Sequence, residues 1–179
     1  MKFISFALLA LFAICSTARA QLAPQRTWPE LKEAVQERAN RNAYPVTGMK
    51  PDEVREILSQ INSLDRDEWA GAWSRMGERY QTRAAEQEKT DLKAASESYL
   101  MAFRYFAFGG WPTQNSGGKK AAFEKSVAAF RKHAELSDPP IEYVRFLHDG
   151  KEVRAYLALP KGARPVPVVL AIGGLDSYK

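Results

Sequence analysis

Cysteine occurs once in these 179 residues, at Cys15. One thiol excludes an internal disulfide framework. Histidine occurs twice, as His133 and His148, at no spacing that metal ligation uses. Both read as solvated surface, and neither a metal nor a cofactor is expected. No G-x-S-x-G is present, so no nucleophile elbow lies among these residues. A dominant charge is lacking too. The 26 basic and 21 acidic residues leave a net charge of +5, too mild and too dispersed to imply a nucleic-acid partner.

Long apolar runs are also missing. The first, over residues 3–15, is too short for a stable membrane span. With Lys2 before it and Ala18-Arg19-Ala20 after it, it has the three parts of a secretory signal, cleaved before Gln21. Phe12-Ala13-Ile14 ahead of Cys15 does not offer the small residue that lipoprotein processing wants. Export to the periplasm or extracellular space is therefore expected. Cleavage would remove Lys2, Arg19 and Cys15, leaving 24 basic and 21 acidic residues, net +3, and no cysteine. Such a protein is held by packing alone.

Next comes a series of helical patterns. Thr27 and Glu30 make a capping box around Pro29, followed by the sparse apolar edge Leu31, Val35 and Ala39. Pro45, Gly48 and Pro51 break the chain. Asp52 and Glu53 open a second helix with Val54, Ile57, Leu58 and Ile61 on one side. Asp65 and Glu68 form another capping box, and Trp69, Trp73, Met76, Tyr80 and Ala84 make the strongest stripe so far. Thr90 caps the next helix, with Leu92, Ala95, Tyr99, Phe103 and Phe106 along it. Gly109-Gly110-Trp111-Pro112 ends that helix and Asn115 to Gly118 reads as loop. A last helix from Lys119 carries Phe123, Val127, Phe130 and Ala134. Gly118-Lys119 is no phosphate loop, because Thr113 stands where the first glycine belongs.

The period then shifts to two. Residues 141–147 and 153–159 alternate as strands around Asp149-Gly150, a hairpin signal. A third stretch, 166–172, is almost wholly apolar and reads as a strand buried on both faces. It ends at Gly173-Gly174, where backbone can pass close to a ligand. The expected architecture is α+β: a signal over 1–20, a helical domain over 21–138, and the first three strands of an incomplete sheet over 139–179.

In order, GAWSRMGERY, YLMAFRYFAFGGWP, KKAAFEKSVAAFRK, PPIEYVRF, YLALP and VPVVLAIGGLDSYK resemble the capped α/β-hydrolases. That group includes dihydroxypseudooxynicotine hydrolase and the FrsA-like esterases. The resemblance runs over about 67–179, and IGGLDSYK is its most specific element. It implies an amino-terminal helical cap and a Ser-His-Asp hydrolase acting on an ester or on a carbon–carbon bond beside a carbonyl. By position, the Leu175 backbone N–H would help to hold the oxyanion, with Gly174 making the turn before it. Tyr99, Phe103 and Trp111 are the candidates for lining the substrate pocket.

Ser177 lacks the flanking glycines of a nucleophile. The triad is therefore expected downstream of Lys179, and the chain to be an inactive amino-terminal part of an exported hydrolase. The expected partner is a small carbonyl substrate, and a homo-oligomer is left open. The alternative is a secreted, tetratricopeptide-like interaction module, which would not need an apolar strand ending in two glycines.

Overall fold

The computed structural model describes residues 26–162 and 165–171. Five helices come first: α1 (Trp28–Asn40), α2 (Pro51–Ser59), α3 (Arg66–Gln87), α4 (Leu92–Gly110) and α5 (Gly117–Leu136). Two strands follow, β1 (Ile141–His148) and β2 (Lys151–Ala158). The centre is a three-helix arrangement in which α4 lies against both α3 and α5, while α1 and α2 pack on the α3 side.

The apolar stripes place the helices as their spacing predicts. Trp73, Met76, Tyr80 and Ala84 of α3 are buried, as are Val54, Ile57 and Leu58 of α2, with Ile61 just past its end. A line of rings runs through this side. Trp28 meets Trp69 at 6.4 Å between centroids, Trp69 meets Trp73 at 5.4 Å, Trp73 meets Tyr105 at 6.3 Å, and Tyr105 meets Tyr80 at 5.6 Å. One carboxylate receives the polar end of that line. Glu53 of α2 accepts from the hydroxyls of Tyr80 and Tyr105. Burial pushes both phenols above their ordinary range, so both stay protonated and donate. The network thus satisfies groups that would otherwise be costly in a core.

The α4–α5 contact differs from expectation. Phe123, Val127 and Phe130 are only half-buried, and the residues sealed in the contact are Ala122, Ser126 and Ala129. Gly109 and Gly110 belong to α4 itself. A Cβ on Gly109 would stand 3.4 Å from that of Ala122, and one on Gly110 3.1 Å from the Lys119 carbonyl oxygen. Small residues on both sides let these helices approach closely, and the larger ones lie beside the seam. Leu92, expected in the α4 stripe, is 57% exposed, because it opens the helix before the packed turns begin.

Helix starts are shifted by neighbouring side chains. Thr27 and Glu30 pair as expected, the Thr27 N–H donating to Glu30 at 2.7 Å. Asp91, not Thr90, caps α4, its carboxylate accepting from the Ala94 N–H at 2.9 Å. Asp65 caps α3 by accepting from the Asp67 and Glu68 N–H groups. Glu68 does not complete a capping box, because its carboxylate accepts instead from the Asn62 N–H and the Ser63 hydroxyl. Ser116 caps α5, so the helix starts two residues before Lys119, and Asp67 of α3 accepts from the Gly118 N–H at 2.8 Å. That acceptor lets two glycines begin a helix.

β1 and β2 pair antiparallel, with Ile141 opposite Ala158 and His148 opposite Lys151. Asp149 and Gly150 turn the chain with φ of 49° and 73°, the left-handed pair that a two-residue hairpin needs. The hairpin rests on α5, where the Phe130 and Tyr156 rings meet edge-on at 4.8 Å. The third strand is not seen among the described residues: 165–171 have no regular structure there, the sheet they show has two strands, and residue 172 lies outside them. Val168, Val169 and Leu170 are 89%, 90% and 79% exposed. An apolar strand needs ladder partners and covered faces, and these three side chains are left largely in solvent.

Two substitutions test this packing. A Cβ on Gly77 of α3 would fall 2.6 Å from the ring of Phe106, which is fully buried. Gly77→Ala is expected to lower unfolding free energy by about 1–3 kcal/mol through overpacking, despite the better helix propensity of alanine. Glu53→Ala leaves the two phenols without their acceptor and is expected to cost about 1–3 kcal/mol per hydroxyl. Urea titrations of both variants measure these changes.

Candidate functional site

Gly174 and Leu175, the residues expected to form the oxyanion turn, lie outside the described residues, as does Ser177. The three aromatic candidates lie in or next to α4, each with its own neighbours. Tyr99 is buried, and its hydroxyl donates to Glu88. Burial, with that carboxylate beside it, pushes the phenol up to about 12. Its polar end is thus engaged within the helical unit. Phe103 packs on Phe130 at 5.1 Å, across the α4–α5 seam.

Trp111 stands apart. It follows the last turn of α4 and stacks on Phe108 at 5.8 Å. Phe108 also meets Trp69 at 5.4 Å and Trp73 at 4.5 Å, so four rings gather at this end of the bundle. The Trp69 indole N–H donates to the Phe108 carbonyl at 3.2 Å. The indole nitrogens of Trp73 and Trp111 are buried and have no acceptor among the described residues. A buried donor without a partner costs about 1–3 kcal/mol, and such a group marks a place where an acceptor from outside has something to gain.

Lys119 holds this corner in place. It is buried, and its ammonium donates to the Trp111 carbonyl at 2.9 Å. Burial, with Arg66 nearby, lowers its pKa. A cation against the carbonyl that ends a helix is a favourable C-terminal arrangement. Nothing in the sequence around Lys119 signals this, since the residue it serves is eight positions away.

His133 corrects the surface reading made from sequence. Its Nδ1 lies 3.0 Å from the Ser96 hydroxyl and 3.1 Å from the Ser96 carbonyl oxygen, and Ser96 Oγ also donates to the His133 carbonyl at 3.2 Å. With Nδ1 protonated toward the Ser96 carbonyl, the pair stitches α4 to α5. Ser96 is buried within α4, so this Ser–His contact is a helix–helix tie and offers no open nucleophile. His148 is exposed in the hairpin, as expected. No group of three or more His, Cys, Asp or Glu among the described residues is placed to hold a metal. No described helix is long and apolar enough to cross a membrane.

Comparison with known proteins bears on what this arrangement belongs to. The model of the FrsA-like family, described as Esterase FrsA-like, matches residues 32–179. Esterase FrsA of Vibrio cholerae is 29% identical over 149 residues, which cover 74% of this chain and 35% of that protein. Hydrolase ORFZ of Pyricularia oryzae is 29% identical over 139 residues, 71% of this chain and 33% of its own length. Esterase FrsA of Photobacterium profundum is 25% identical over 126 residues, 69% and 30% respectively. The chain thus spans about a third of the length of the curated relatives it matches.

The His133 tie carries a pH dependence. Burial lowers the His133 pKa, with Arg104 of α4 acting the same way and the Ser96 carbonyl opposing both. The unfolded chain therefore takes up this proton more readily, near the ordinary value of about 6.5. The contribution is fully present above that pH and is lost as pH falls toward the depressed folded value. Urea midpoints across this range are expected to fall further for the parent protein than for His133→Gln. Parallel midpoint curves would refute the assignment.

Proposed function

Since this chain belongs to the FrsA-like esterase family, we propose that its helices form the cap over the carbonyl-binding site of an exported serine hydrolase. The hairpin would open the α/β-hydrolase sheet behind them. The observation that carries this reading is the family match itself, which extends from within α1 past the hairpin. In this reading 1–20 is a cleaved secretory signal and 21–138 the cap. Residues 166–172 become the third strand when neighbouring strands cover them. Gly174 makes the turn and the Leu175 N–H faces the oxyanion. Because the chain has no G-x-S-x-G, this reading draws nucleophile, acid and base from outside these 179 residues and expects the chain alone to be inactive.

The chemistry is acyl transfer to water, or cleavage of a carbon–carbon bond next to a carbonyl. Serine attacks the carbonyl, histidine moves the proton, and backbone N–H groups hold the negative oxygen. Among the aromatic candidates, Trp111 fits a pocket wall best. Its indole N–H, like that of Trp73, has no acceptor among the described residues, whereas the Tyr99 hydroxyl is engaged with Glu88.

A fluorophosphonate probe tests the first half. The 179-residue chain is expected to take up no label, and a labelled serine within it would overturn the assignment. The second half is tested in a chimera joining this chain to the part of Vibrio cholerae Esterase FrsA that it does not match. Hydrolysis of p-nitrophenyl esters is expected there, and Gly174→Val should lower turnover about 10²–10³-fold at a similar melting temperature. Normal turnover in a folded Gly174→Val chimera would remove the oxyanion role.

A further inference from the structure

Away from the Trp111 corner, the last turns of α5 face the hairpin across a hollow of about 360 Å³. Arg131 and Glu135 line it from α5, Tyr143 and Arg145 from β1, and Arg154 and Tyr156 from β2. The strand register sets Tyr143 opposite Tyr156 and Arg145 opposite Arg154. Alternation along each strand puts all four on one face. The two tyrosine rings stand 5.3 Å apart, and Phe130 backs the second of them.

The charges here are unbalanced. Two arginines directly opposite on paired strands repel, an arrangement that weakens a hairpin unless something compensates. One carboxylate, Glu152, serves both: it lies 2.6 Å from the Arg154 guanidinium and 3.4 Å from that of Arg145. Arg131 has no ion-pair partner among the described residues, and its guanidinium stands over the Tyr143 ring at 5.3 Å. Three guanidinium groups thus meet two carboxylates, Glu152 and Glu135, leaving one positive charge in excess. That excess sits beside aromatic walls.

We propose that this hollow binds a small organic anion with a planar apolar body, of the aromatic carboxylate class. Guanidinium groups take a carboxylate through paired, coplanar hydrogen bonds. Arg131, stacked over Tyr143, is the one outside the ion pairs among the described residues, and Arg145 and Arg154 approach from the other side with their shared Glu152. The Tyr143 and Tyr156 rings contact the apolar body, which a bare phosphate does not possess. At the lower end of the usual range for ligand pockets, the volume suits an acid with a single ring. This site does not depend on the esterase reading.

Sodium benzoate is the probe, titrated at low salt into the isotope-labelled protein and followed by backbone amide NMR. Saturable shifts are expected at Tyr143, Arg145, Arg154 and Tyr156, with the affinity falling as salt is raised. Arg131→Gln, an exposed helix position outside the ion pairs, should keep the helical circular dichroism and weaken benzoate by about tenfold or more. Tyr156→Leu should weaken benzoate and leave the response to inorganic phosphate as it was. Three results would each overturn the proposal: no saturable shift at about 20 mM benzoate, equal benzoate affinity in Arg131→Gln, or phosphate binding as tightly as benzoate.

Discussion

Glu53 accepts hydrogen bonds from Tyr80 and Tyr105 at the place where α2, α3 and α4 meet. This carboxylate is the constraint on which the helical unit depends. Ring contacts alone hold helices together without fixing how far one slides along another. Two phenols on two different helices aimed at one acceptor do fix it, since a shift of either helix leaves a buried hydroxyl unpaired. The ring line from Trp28 through Trp69 and Trp73 to Tyr105 is then set in register, and the Phe108 corner is placed at its far end.

The other half of the bundle is built on a different principle. Where α3 and α4 interlock large rings, α4 and α5 come together over Gly109, Gly110, Ala122, Ser126 and Ala129. Close backbone approach lets short polar ties reach across. The Ser96–His133 pair and the Lys119 contact to the Trp111 carbonyl both span that seam. Large groups are displaced to its edges, so Phe130 is left free to carry Tyr156 and, with it, the hairpin.

Helix positions were legible because burial follows a 3.6-residue period, and α2 and α3 bury the residues their stripes name, Trp69 only in part. Starts were less so. Thr90 and Asp91 are both good caps by type, and only the turn geometry selects Asp91. Glu68 had the spacing of a capping box, but Asn62 and Ser63 reach it first. The α5 stripe was right at Ala134, which is buried, and misread at Phe123, Val127 and Phe130, where large side chains were taken as the inward ones although a close seam buries small ones. The stretch 166–172 has the composition of a covered strand, yet composition cannot form a ladder without a neighbour. Of the candidate site, Trp111 is where an unpaired donor now stands. Tyr99 and Phe103 lie on α4 and are engaged within the helical unit. Ser96 and His133 are 37 positions apart, a distance at which no local pattern announces a contact.

Among the described residues the hairpin touches the helices only through α5, and the core of the bundle is closed by residues between Trp28 and Leu136. That has a consequence for synthesis. Helical units with mostly local contacts fold in microseconds to milliseconds, while a ribosome adds about 5–20 residues per second. Once α5 has emerged, the bundle has ample time to close before the eighteen positions from Ile141 to Ala158 are all available to pair. The hairpin then meets a finished surface bearing Phe130 and Arg131. The helical unit thus serves as the template on which the nascent sheet is first laid down.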